Sequence, residues 1–292
     1  MKFIFIFFAS LIALTVPMSV MASGNAPLII KPLCPPGYKP STTGNKDICV
    51  EGDPWSLEFF RSVVPILVDG KRICTGSSMG DGLIITAAHC VIETLGTEVE
   101  VISASRVTIA NIEGKVFPLI MAPQVPREML LSCLPKCPDL AYDFALLRVS
   151  SAAAVDWIPF PVLTEISSDG ELPITIAGYG VTTMPKNFSK NGLYIGAQHL
   201  MLTAKDQPLE WSYEIWKDNN SSFCSGDSGG PIFLGSPRKQ GDKLALIGVI
   251  SRFMSSEGTC FQAKATAVNF TQPGPRTILC TFLGDKHSFC RI

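Results

Sequence analysis

The sequence predicts an all-β protein, a barrel or a sandwich. Three observations carry that expectation. Short runs rich in β-branched residues recur along most of the chain, bounded by Gly, Pro and Asp. Long amphipathic helical patterns are scarce, so a parallel α/β sheet, which needs helical crossovers, is disfavoured. Ten cysteines in 292 residues fit a disulfide-tied protein of an oxidising compartment.

The elements are taken in chain order. Met1-Lys2, the apolar run Phe3 to Val16, Pro17 and the small-residue site Val20-Met21-Ala22 have the parts of a secretory leader over residues 1–22. A retained membrane anchor is the alternative, and Pro17 with the small residues favours cleavage. No second apolar stretch of spanning length follows, so no membrane contact is expected once the leader is removed. The mean hydropathy of +0.29 owes part of its height to this segment. Residues 23–47 carry Pro32, Pro35, Pro36, Gly37, Pro40 and Gly44 with little periodicity, and read as an irregular arm or pro-segment. Strands are expected at residues 63–68, 83–86, 99–102, 144–149, 174–177, 231–234 and 244–250. There is no internal repeat and no low-complexity tract.

Composition narrows the functional classes. The 24 basic and 25 acidic side chains leave a net charge of −1, with no basic excess to neutralise phosphates, so nucleic acid is not an expected partner. A 47% hydrophobic and 17% charged chain is neither a disordered tail nor a collagen-like repeat. Structural zinc needs clustered Cys and His. Only His89, His199 and His287 are present, no CxxC pair occurs, and Cys133-x-x-x-Cys137 has no second pair nearby.

The chemistry sits in three segments. Thr86-Ala87-Ala88-His89-Cys90 closes an apolar strand, where small neighbours hold the imidazole rigidly; a lone histidine there would more often have no task. Asp143 opens the apolar run Phe144-Ala145-Leu146-Leu147, and a carboxylate buried there needs a partner. Cys224-Ser225-Gly226-Asp227-Ser228-Gly229-Gly230-Pro231 can turn tightly, expose Ser228 and aim backbone N–H groups at one spot. Together they supply acyl transfer. A serine hydroxyl is a poor nucleophile near neutral pH until a hydrogen-bonded imidazole takes its proton, and a buried carboxylate fixes that imidazole's tautomer.

These three segments, in this order, resemble the trypsin/chymotrypsin family of serine proteases, from about residue 48 to about residue 270. Ala177-Gly178-Tyr179-Gly180 looks like the family's Gly-aromatic-Gly turn. The resemblance implies two antiparallel six-stranded β-barrels, about 48–160 and 161–270, with the site in the cleft between them. It makes His89 the base, Asp143 the orienting acid and Ser228 the nucleophile, with the amides of Gly226 and Ser228 as the oxyanion hole. Ser222, Phe223, Ser251 and Phe253 would line the specificity pocket. Its base residue is then the uncharged Ser222, which disfavours Lys or Arg, and Phe253 would narrow the cleft toward small or apolar side chains.

Cys74–Cys90 and Cys224–Cys260 look like family disulfides. Proximity and elimination pair Cys34–Cys49, Cys133–Cys137 and Cys280–Cys290, although ten cysteines permit many connectivities. Two features depart from the family pattern. Around Ile48 the activation-cut motif matches only in part, with Asp47 preceding it, so Asp227 either meets a new chain amine there or is satisfied otherwise. Pro273-Gly274-Pro275 is expected to break the family's closing helix and to leave residues 271–292 as a stapled tail. The expected protein is a secreted, monomeric serine endopeptidase acting on proteins or peptides. It is open to protein inhibitors and has no metal or organic cofactor. A catalytically silent relative that binds a partner protein is the alternative. An esterase is disfavoured because Pro231 and the apolar run after Gly226-Asp-Ser-Gly-Gly open a strand rather than a helix.

Overall fold

The computed structural model describes residues 38–41, 48–51, 62–111, 115–132, 140–150, 171–180, 194–201, 212–216, 225–234, 245–254, 264–284 and 287–290. The leader, Ser222, Phe223, Cys34, Cys133, Cys137, Cys224 and Cys260 lie outside the described residues. The described residues are mostly β. In chain order they form β1 (Tyr38–Ser41), β2 (Ile48–Glu51), β3 (Val63–Val68), β4 (Lys71–Gly80), β5 (Leu83–Thr86), β6 (Ile92–Leu95), β7 (Glu98–Val101), β8 (Val107–Ala110), β9 (Val116–Pro118), helix α1 (Arg127–Ser132) and β10 (Ala145–Arg148). Then come β11 (Glu171–Gly178), β12 (Tyr194–Met201), β13 (Ser212–Trp216), β14 (Pro231–Leu234), β15 (Ala245–Met254), β16 (Lys264–Asn269) and helix α2 (Pro273–Leu283).

Local chemistry sets the first sheet. Two Asp-Gly pairs make its hairpin turns. Asp69-Gly70 joins β3 to β4 and Asp81-Gly82 joins β4 to β5. All four residues have positive φ (50°, 72°, 51° and 75°), the geometry a two-residue turn needs to follow the strand twist. Strand order is β10-β5-β4-β3-β8-β9. Bridges Leu119↔Val149 and Gln124↔Leu146 bring the chain beyond β9 back to β10 and curl the sheet. Pro65 sits inside β3 because β8 pairs only with Ile66 to Val68, so its missing donor interrupts no ladder on that side. The second sheet is a closed barrel, β11-β12-β13-β16-β15-β14.

Strands β5 and β10 stand between two cores. Ile84, Ala145 and Leu147 point into the first, with Val64, Ile66, Val107 and Ile109. Leu83, Ile85 and Leu146 face the second, where Phe144, Phe233, Val249, Val268, Phe270, Leu279 and Phe289 pack. Period-two alternation thus places two buried faces on one strand.

Two expectations are corrected. Part of the segment read as irregular forms a hairpin, in which β1 pairs antiparallel with β2 and Pro40 faces Cys49. A two-stranded ribbon is all edge, so a proline fits there. More consequential, Pro273-Gly274-Pro275 does not break a helix; it starts one. Gln272 is the N-cap, and the prolines fall in the first turn of α2. The opening N–H groups of a helix have no partner within it, and proline's fixed φ is already helical. The first turn closes with Arg276 N–H donating to Gln272 O (3.3 Å), downstream of both prolines. The expected staple is present: Cys280–Cys290 ties the end of α2 to the segment that follows.

Candidate active site

His89 sits on a 3₁₀ turn, Ala88–Cys90, directly after β5 and Ala87. Ala87 and Ala88 are wholly buried, and their small side chains let the backbone pass close to its neighbours. A Cys74–Cys90 disulfide ties the turn to β4. Asp143 lies just ahead of β10 with no exposed surface. Its carboxylate accepts from three donors: the His89 amide at 2.9 Å, His89 Nδ1 at 2.8 Å and the Ser251 hydroxyl. Burial raises its pKa, but the His89 charge and these hydrogen bonds win and hold it at about 2. An ionised carboxylate only accepts, so Nδ1 carries the proton and a neutral ring has its lone pair on Nε2. For His89, burial pulls the pKa down, the Asp143 charge and hydrogen bond push harder the other way, and Arg252 opposes them; the net shift is upward. The ring keeps 30% of its side-chain surface open to solvent.

Ser228 is carried by a loop before β14. Gly226 and Gly229 have φ of 99° and 79°, conformations that L side chains rarely adopt. The Thr75 amide on β4 donates to Ser228 O at 2.8 Å, and Gly229 N donates to Ile250 O on β15 at 2.6 Å. Ser228 O and His89 Nε2 each lie 3.8 Å from the Cys90 sulfur, which keeps them within twice that of one another. A direct Ser228 Oγ–His89 Nε2 hydrogen bond is not formed in this structure. Such bonds commonly tighten only when substrate is bound. Among the described residues the amides of Gly226 and Ser228 have no acceptor.

Asp227, beside the serine, is 5% exposed and accepts the Gly180 amide at 2.8 Å. That explains the Gly178-Tyr179-Gly180 turn, because a Cβ on either glycine would strike the Asp227 carboxylate. Phe253 is placed by backbone register alone, opposite Ala265. Ligand atoms of Cys74, His89 and Cys90 gather within 4.8 Å, but the two sulfurs are bonded to each other and offer no thiolate to a metal. Sequence reading missed Thr75 and Thr86, the buried hydroxyls behind the serine loop. Their only signal is position, one residue after Cys74 and three before His89.

A mostly β scaffold that gathers a buried carboxylate, an imidazole and a glycine-flanked serine defines a class, the trypsin-like serine proteases. The family model Trypsin matches residues 49–271, and the chain belongs to that family. It is 23% identical over 205 residues to mannan-binding lectin serine protease 1 of Rattus norvegicus. That match covers 63% of this chain and 28% of the relative, so the chain spans little more than a quarter of that relative's length. Among solved structures, neuropsin, a serine protease expressed in the limbic system of mouse brain, shares the fold with a TM-score of 0.56 at 16% identity. The match covers 77% of this chain and 95% of that one. No described helix is long and apolar enough to cross a membrane.

Proposed function

We propose that the chain is a secreted serine endopeptidase that cleaves protein or peptide substrates through an acyl-enzyme. One observation carries the reading: a fully buried Asp143 receives both the ring and the amide of His89, while the Ser228 loop is hydrogen-bonded to the strand disulfide-linked to that histidine's turn. His89 Nε2 takes the Ser228 proton as Oγ attacks the scissile carbonyl carbon. The amides of Gly226 and Ser228 receive the negative oxygen, each contributing about 3 kcal/mol of barrier lowering. Collapse breaks the C–N bond, and the amine leaves with the proton from Nε2. Water then repeats the sequence on the ester, giving the acid and restoring Ser228.

Residues 1–22 are read as the removed leader, 23–47 as an arm or pro-segment, 48–270 as the protease domain with the curled first sheet as its first barrel, and 271–292 as a terminal segment. Ser222, Phe223, Ser251 and Phe253 are assigned to a pocket for small or apolar side chains; rapid cleavage after Lys or Arg in a peptide library would refute that preference. The central test is fluorophosphonate labelling of the mature protein and of Ser228→Ala. Label on the wild type alone is the expected result. No label after every processing step would replace the protease reading with a silent, partner-binding one.

A further inference from the structure

We infer that Thr75 is a positioning residue for the serine loop, an assignment that rests on the protease reading of this site. Thr75 is fully buried on β4. Its hydroxyl donates to Gly226 O at 2.8 Å and accepts the Tyr179 amide at 2.9 Å. Its amide donates to Ser228 O at 2.8 Å, and its carbonyl accepts the Thr86 hydroxyl at 2.6 Å. One residue of the first sheet therefore touches the serine loop twice, the Gly178-Tyr179-Gly180 turn once, and the strand leading to His89 once.

Peptide planarity turns these contacts into aim, because C=O and N–H of one peptide point opposite ways. The Ser228–Gly229 peptide is gripped at both ends, by Thr75 at its oxygen and by Ile250 at its nitrogen. In the Asp227–Ser228 peptide the oxygen accepts Gly230 N at 2.9 Å, which turns the Ser228 N–H away from that side. The Gly226–Asp227 peptide is held at its oxygen by the Thr75 hydroxyl at 2.8 Å. That peptide links the Ser225–Gly226 and Asp227–Ser228 peptides, which carry the two amides, so losing the hydroxyl's hold on its oxygen loosens the angle between the Gly226 and Ser228 N–H groups.

The test compares Thr75→Val, which keeps the shape and both backbone bonds, with Thr75→Ser, which keeps the hydroxyl. Thr75→Val is expected to lower kcat on a peptide amide and the rate of fluorophosphonate labelling by about 10- to 100-fold with KM little changed, the scale of a small misplacement. Thr75→Ser should restore both. Amide exchange of residues 225–230 should quicken in Thr75→Val alone. A folded Thr75→Val with wild-type kcat and unchanged exchange overturns the inference, even if its melting temperature falls. If the wild type takes no label while exchange still separates the two variants, the protease reading fails and the positioning role stands.

Discussion

At the scale of single residues, the site is an electrostatic bargain between His89 and Asp143. His89 has a pKa above the ordinary 6.5, and only its neutral ring can accept the serine proton. In a pH profile, kcat/KM should therefore fall as pH drops through that raised value, with no separate Asp143 limb until about pH 2. Stability runs with opposite signs. The protonated histidine's contribution is complete below 6.5 and is lost as pH rises through the raised value. The Asp143 contribution is complete above 3.8 and is lost as pH falls through about 2. Urea titrations of Ser228→Ala across pH would check both. Arg252 opposes protonation of the ring, so Arg252→Ala should move the acid midpoint of the kcat/KM profile upward. Gly229→Ala should cost on the order of 3 kcal/mol in denaturant unfolding and abolish labelling. Its φ is 79°, and a Cβ would strike the Thr86 hydroxyl, the Thr75 carbonyl and the Ala87 amide. His89, Asp143 and Ser228 were legible as candidates because each sits in a short string with its own local chemistry. Thr75 was not: its hydroxyl partners lie 104 and 151 residues away, and in one dimension it is an ordinary strand threonine.

At the scale of elements, the runs expected at 63–68, 83–86 and 231–234 are the readable part, and they match β3, β5 and β14. Asp-Gly at a strand end is a turn for a purely backbone reason, whereas β11 starts three residues before the expected 174–177, β15 runs four residues past the expected 244–250, and β4 had no counterpart among the expected strands. The terminal helix was misread because proline was weighed as a breaker without asking where in the helix it falls. Inside α2 the rule inverts in the first turn, and Leu279, Arg276 and Pro275 end up buried. The helix is then locked. Cys290 bonds Cys280, Arg276 reaches Phe289 O at 3.4 Å, and His287 Nε2 meets Met79 O at 3.0 Å. Replacing both Cys280 and Cys290 by Ser should lower unfolding stability by about 3 kcal/mol on the chain-entropy estimate for a loop of this size, read by urea titration.

At the scale of the whole molecule, one core serves both sheets. Met79, Leu83 and Ile85 come from the first sheet, Phe233, Leu246, Val249 and Val268 from the barrel, and Leu279 from α2 inserts among them. Leu279→Ala should therefore cost about 3 kcal/mol and weaken hydrogen-exchange protection in strands of both sheets, β5 and β15 alike. Protection lost in only one sheet would mean that the two are independent. This shared core was not legible, since sequence periodicity gives each strand two faces but not what covers them. Within the core, Phe144 stands edge-on to Phe270 at 5.3 Å, and Phe270 in turn to Phe289 at 6.1 Å. Phe144 adjoins Asp143. Rings fixed in a chiral stack contribute sharp near-ultraviolet dichroism, so the difference spectrum between wild type and Phe289→Leu is an optical gauge of whether the segment after α2 is seated against the residue beside the acid, readable without any dye or substrate.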